Sequence, residues 1–91
     1  MEIGTIQHRL RQAGVDMASP FRSGAELVVA ITEELGEVAT EVSLLEQIGA
    51  KAHWSRDPST ERLADEMLHL LNFIFTLANR YEIDLDREYV R

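Results

Sequence analysis

The 91-residue sequence contains no cysteine, so disulfides and thiolate zinc sites are excluded. Proline occurs twice and glycine five times, so few positions punctuate the chain. No apolar run approaches the roughly 18 residues that a membrane span needs. The opening MEIGTIQHRL lacks the apolar core of a secretory leader. Cations are also scarce: nine Lys and Arg stand against sixteen Asp and Glu, for a net charge of −7. A protein that engages phosphate polymers needs a basic face, so nucleic-acid polymers are excluded as partners, and anionic membranes with them. The expectation is one domain spanning residues 1–91 in the cytoplasm. A chain this short buries only a modest part of its surface, and with no disulfide to staple it a homo-oligomer is the expected source of further burial.

What is present is helical periodicity. Ile3, Ile6, Leu10 and Ala13 recur at steps of three and four, and Gly14 can end that helix. After a loop, Ser23 and Glu26 match a capping box. Leu27, Ile31, Leu35, Val38, Val42 and Leu45 then form a stripe, and Gly49 suits the C′ position. This second helix is predicted over about 24–48, a length of roughly 37 Å at 1.5 Å per residue. Asp57 and Pro58 read as the N-cap and first residue of a third helix. Its stripe is Leu63, Met67, Leu70, Ile74, Leu77 and Tyr81, and it is predicted to run to about Arg80, with a short turn after Asp84. No segment shows the alternation of a half-buried strand. The predicted class is all-α: a helical hairpin plus an N-terminal helix. Both long helices have wide apolar faces, which two hairpins would cover by dimerising into a four-helix-bundle core.

The charge is concentrated on the second helix. Between Arg22 and Lys51 there is no Lys or Arg, while Glu26, Glu33, Glu34, Glu37, Glu41 and Glu46 all fall there. Like charges three and four residues apart repel by a few tenths of a kcal/mol each. Glu34 and Glu41 flank the apolar stripe, and an external cation would relieve their repulsion. Hard divalent ions such as Mg²⁺ and Mn²⁺ take carboxylate oxygens. On the third helix, Glu66 and His69 share the edge of the stripe. In an antiparallel hairpin, a Glu-x-x-Glu and a Glu-x-x-His can face each other and form a metal constellation.

The run Glu33-Glu34-Leu35-Gly36-Glu37 resembles the EExxE motif of the MazG-like all-α nucleoside triphosphate pyrophosphohydrolases. Leu77-Ala78-Asn79-Arg80 followed by Ile83-Asp84-Leu85 resembles the ending of their next long helix. Counting back by the family interval puts Glu66-Met67-Leu68-His69 in the place of the second motif, ExxD, with 28 residues between Glu37 and Glu66. The resemblance covers about residues 24–86. It implies a helical homodimer or dimer of dimers that cleaves a nucleoside triphosphate to a monophosphate and pyrophosphate with Mg²⁺; Mn²⁺ is the other ion that the residues themselves suit. By position, Glu34, Glu37 and Glu66, together with His69, would hold metal, and Glu33 would orient or deprotonate the attacking water.

In two respects the sequence departs from the family pattern. His69 stands where the family has an aspartate, and imidazole suits Mn²⁺, Co²⁺ or Zn²⁺ better than Mg²⁺. The consequence is a shifted metal preference, a weakened site or lost activity. Many relatives continue beyond the position of Arg91 into a helix that contacts phosphates. A MazG-like dimer with reduced catalysis, binding nucleotide or a protein partner, is therefore the alternative. In the loop GAKAHWSRDP, Trp54 can stack on a base while Lys51 or Arg56 meets phosphate. Asn72, one turn after His69, is expected beside the nucleotide by the same resemblance.

Overall fold

A computed structural model describes residues 2–9, 23–49 and 56–91. These residues form four helices and no strand: α1 (residues 3–9), α2 (Gly24–Glu46), α3 (Thr60–Arg80) and α4 (Leu85–Tyr89). The all-α expectation therefore holds for the described residues. Leu10, Ala13 and Gly14, expected to finish the first helix, lie outside them.

Local chemistry sets the helix ends, in places shifted from the sequence expectation. Ser23 caps α2: its Oγ accepts the Glu26 N–H at 3.1 Å and donates to Glu26 Oε1 at 3.3 Å. Glu26 thus binds the serine hydroxyl. At the far end Gln47 adopts the left-handed conformation (φ 55°), and the Ile48 N–H returns to the Ser43 carbonyl at 3.1 Å. The helix ends at Glu46, three residues before Gly49, which also has positive φ (61°). The cap of α3 is Ser59 rather than Asp57, because Ser59 Oγ reaches the Arg62 N–H at 3.1 Å. Pro58 consequently precedes the cap. The Asp57 carbonyl accepts from the Arg62 guanidinium instead. α3 ends at Arg80 as expected. The Ile83 N–H bonds the Ala78 carbonyl at 2.9 Å and the Glu82 N–H bonds Asn79 at 3.1 Å, with Glu82 left-handed. Asp84 then caps α4 through the Arg87 N–H at 3.1 Å.

α2 and α3 pack as an antiparallel hairpin. The register follows from three pairings: Gly24 beneath the Tyr81 ring, Glu34 beside His69, and Glu41 beside Arg62. A side chain at Gly24 would collide with Tyr81, so glycine permits this approach. Among the described residues, Leu27, Ala30, Leu44, Phe75 and Ala78 are the buried apolar ones. The burial departs from the expected stripes: Leu35 and Leu45 on α2 are exposed, as are Met67, Ile74 and Tyr81 on α3. The buried seam of α2 instead follows Leu27, Ala30, Glu41 and Leu44, with Glu34 between them and mostly covered. One chain has a single hairpin and cannot cover both sides of it, so the remaining apolar side chains stay at the surface.

α1 is secured by one polar residue. Gln7 is 5 % exposed. Its Nε2 donates to Asn79 Oδ1 at 2.8 Å and to the Ile83 carbonyl at 2.6 Å, and its Oε1 accepts the Leu85 N–H at 3.1 Å. Asn79 Nδ2 donates back to the Gln7 carbonyl at 3.1 Å. A buried amide with this many partners incurs little desolvation cost and locks α1 against the α3–α4 corner.

Candidate metal centre

The antiparallel register brings two short motifs together at mid-hairpin. Glu34 comes from α2; Glu66 and His69, three residues apart, come from one face of α3. His69 Nδ1 lies 3.7 Å from Glu34 Oε2 and 3.7 Å from Glu66 Oε2. One ligand atom from each of the three residues falls within 4.8 Å of the others. Both carboxylate side chains are about one-fifth exposed, at 19 % and 21 %, while the imidazole is more than half exposed at 56 %.

Two observations distinguish this cluster from an ordinary ion-pair network. Glu34 Oε2 and Glu66 Oε2 are shut off from solvent, yet neither has a hydrogen-bond partner. Buried polar atoms are normally satisfied, and an orphaned carboxylate oxygen costs more than a neutral one. The second observation is the spacing. At 3.7 Å the His69 contacts are too long for hydrogen bonds. They are nonetheless shorter than about 4.2 Å, the widest separation of two donors that each lie ~2.1 Å from one ion. The donor set fits a divalent cation in chemistry, and its two His69 separations fit one in spacing.

Glu37, one turn after Glu34, joins the cluster electrostatically. Its carboxyl is held above the usual carboxylate range, first because its protonated form hydrogen-bonds Glu66. Repulsion from the Glu66 charge and partial loss of solvent act in the same direction. A hydrogen bond with Glu34 and the His69 charge oppose them. The crowded carboxylates thus compete for protons when no cation is bound.

The other expected site residues are placed as follows. Glu33 is exposed, outside the Glu34–Glu66–His69 group. Asn72 is half-buried and lines a cavity of about 150 Å³ with His69, Phe73 and Thr76. The Asn72 carbonyl accepts the Thr76 hydroxyl at 2.8 Å. Lys51 and Trp54 lie outside the described residues. Arg56, a candidate phosphate contact, is engaged by Glu41: its guanidinium donates to Glu41 Oε2 at 2.8 Å, and Arg62 Nε donates to Oε1 at 3.1 Å. Glu41 is 4 % exposed, so its charge is neutralised internally.

Arg62 and Thr76 were not marked by the sequence patterns. Thr76 was legible as the position four after Asn72 and seven after His69, hence on the same helix face. Arg62 has the matching relation to Glu41 only once the hairpin register is known. A larger hollow of about 470 Å³, lined by Gln7, Asn79 and Asp84 among others, lies at the α1 end, and Gln7 and Asn79 already satisfy each other there.

Comparison with known protein families, curated protein sequences and solved structures finds no match for this chain.

Proposed function

We propose that the protein is a metal-dependent nucleoside triphosphate pyrophosphohydrolase of the MazG-like kind, converting a (d)NTP and water to a (d)NMP and pyrophosphate. The observation that carries this reading is the pair of solvent-shielded, unpartnered carboxylate oxygens, Glu34 Oε2 and Glu66 Oε2, facing one imidazole nitrogen. These residues stand at the positions expected from the two sequence motifs. Glu34, Glu37 and Glu66, with His69, would hold a divalent ion, Mg²⁺ or Mn²⁺. The ion would neutralise phosphate oxygens and lower the pKa of a bound water.

The chain's own residues then have defined tasks. The acidic face of α2 accepts a polyanionic substrate only once its charge has been offset. Glu33, exposed next to Glu34 in sequence, would take the proton of the attacking water. The oxygen of that water ends on the monophosphate, and the bond between the α- and β-phosphates breaks with its electron pair leaving on pyrophosphate. Asn72, with Phe73 and Thr76, would contact the nucleotide in the cavity beside His69. Lys51 and Trp54 would supply a phosphate contact and a stacking surface from the segment of sequence between α2 and α3.

The same reading includes a homodimer or dimer of dimers. Val28, Leu35, Met67, Leu68 and Leu71 are all at least 40 % exposed on the two long helices. Pairing two hairpins into a four-helix bundle would cover them. Among the described residues no helix is long and apolar enough to cross a membrane.

The test is pyrophosphate release across common and modified (d)NTPs with Mg²⁺ or Mn²⁺, using Glu37→Ala as control. Release that is lost in the control is expected; no release from any nucleotide would sink the enzyme reading. His69 itself favours one second reading, a dimer that binds nucleotide with reduced catalysis. Large gain of activity in His69→Asp would favour it, and fast turnover by the native chain with Mn²⁺ would exclude it.

A further inference from the structure

We infer that the Glu34–Glu66–His69 cluster selects a borderline divalent ion of the Mn²⁺, Co²⁺ and Zn²⁺ class over Mg²⁺, with His69 Nδ1 as the nitrogen ligand. The inference rests on the metal-centre reading above and specifies which ion that centre takes.

Three features of the cluster lead to it. First, Nδ1 is the imidazole atom that lies 3.7 Å from both orphaned carboxylate oxygens. A cation at Nδ1 takes the ring as neutral imidazole with its proton on Nε2, and the ring is more than half exposed, so water can accept that N–H. Second, imidazole nitrogen is a good donor to borderline 3d ions and a poor one to Mg²⁺, which prefers six oxygens in octahedral geometry. Third, Mg²⁺ gives up its waters reluctantly. Glu34 Oε2 and Glu66 Oε2 are shielded from solvent, so an ion that binds both must shed water on the hairpin side. The ions that dehydrate more readily and gain a nitrogen bond are favoured twice.

Almost any N/O site binds the later 3d ions more tightly than Mg²⁺, so the raw preference of the native chain does not decide the matter. The change on replacing His69 does. His69→Asp restores an all-oxygen donor set at an exposed position, where neither core packing nor a helix end is disturbed. The experiment is calorimetric titration of metal-stripped native chain and His69→Asp with MgCl₂, MnCl₂ and CoCl₂. It is joined by long-range ¹H–¹⁵N spectra of the three histidine side chains during ZnCl₂ addition. Circular dichroism confirms that both chains are equally helical.

The Co²⁺ to Mg²⁺ affinity ratio is expected to fall by about tenfold or more in His69→Asp, the scale on which disturbing a metal's ligand surroundings is felt. In the native chain the Nδ1 resonance of His69, assigned by its loss in the variant, should shift with one equivalent of Zn²⁺. If metals bind but the ratio is unchanged and His69 does not shift, the inference is overturned while the metal centre stands. If no divalent ion binds the native chain, both fail.

Discussion

Glu34 and Glu41 lie seven residues apart on one face of α2, and both turn toward α3. Their surroundings are opposite. Glu41, 4 % exposed, accepts from Arg56 at 2.8 Å and from Arg62 at 3.1 Å. Glu34 meets another carboxylate and a histidine, and one of its oxygens is shielded without a hydrogen-bond partner. The same side chain at equivalent positions is thus a structural anchor at one end of the hairpin and an unfilled acceptor in its middle. Burial alone does not mark a functional carboxylate; what distinguishes Glu34 is a shielded oxygen that no hydrogen-bond donor reaches.

That contrast can be broken from either side, and the largest effect is expected at the centre. Glu34→Gln should lower metal-dependent pyrophosphate release by two or more orders of magnitude, read as kcat/KM. The same change should stabilise the metal-free fold by roughly 1 kcal/mol, because it removes an orphaned charge. Loss of activity together with gain of stability marks a functional group; loss of both would make Glu34 structural.

At the other end, Arg56→Ala/Arg62→Ala should destabilise the chain by about 3 kcal/mol in urea melts, since it leaves Glu41 buried and bare. Either single change should cost about 1 kcal/mol, because the arginines are partly exposed and each covers for the other. Divalent-metal affinity should be unchanged in all three. A large loss of metal binding there would erase the distinction between the two ends.

Glu37 sharpens the comparison through pH. Its pKa is raised in the folded state, so the native chain holds more protons than the unfolded one above the ordinary glutamate value of about 4.3. The contribution of Glu37 to stability is present at low pH and is lost as pH rises through the raised value. Glu37→Gln keeps a donor toward Glu66 without the charge. Metal-free Glu37→Gln should therefore gain stability over the native chain as pH rises from about 4 to 7, followed by thermal melting. A difference that is flat with pH would remove Glu37 from the cluster.

The smallest expected effect concerns Gly36, where an added Cβ meets nothing within 4 Å in the single chain. In solvent, Gly36→Ala should raise helix stability by about 0.5–1 kcal/mol. A loss of stability or of dimer by sedimentation would place this face against a second copy.

How much of this was legible in the sequence varies with the physics involved. Helix existence was legible because apolar spacing and side-chain caps are local, as with Ser23 and Asp84. The start of α3 was misplaced because Pro58 and Ser59 both suit a helix start, and only the Ser59–Arg62 bond decides between them. The pairing of Glu34 with Glu66 and His69 was legible as two motifs on antiparallel helices. That Glu41 would be neutralised was not, because Arg56 and Arg62 reach it only through the folded register. The gap in cations from Arg22 to Lys51 suggested an acidic face short of counterions, and the fold supplies two arginines to Glu41 but none to Glu34, which meets only His69. The Gln7 anchor was equally hidden, since its partners lie more than 70 residues away.

The most direct measurement of the central claim is a thermal melt of the metal-stripped chain against rising MnCl₂ in parallel with MgCl₂, for native protein, Glu34→Gln and Glu41→Gln. Specific binding to the folded state raises Tm by mass action. The account predicts a concentration-dependent rise for the native chain and for Glu41→Gln, from a lower starting Tm in the latter, and no rise for Glu34→Gln. A native Tm indifferent to both ions, or a Glu34→Gln chain that responds as the native one does, would contradict it.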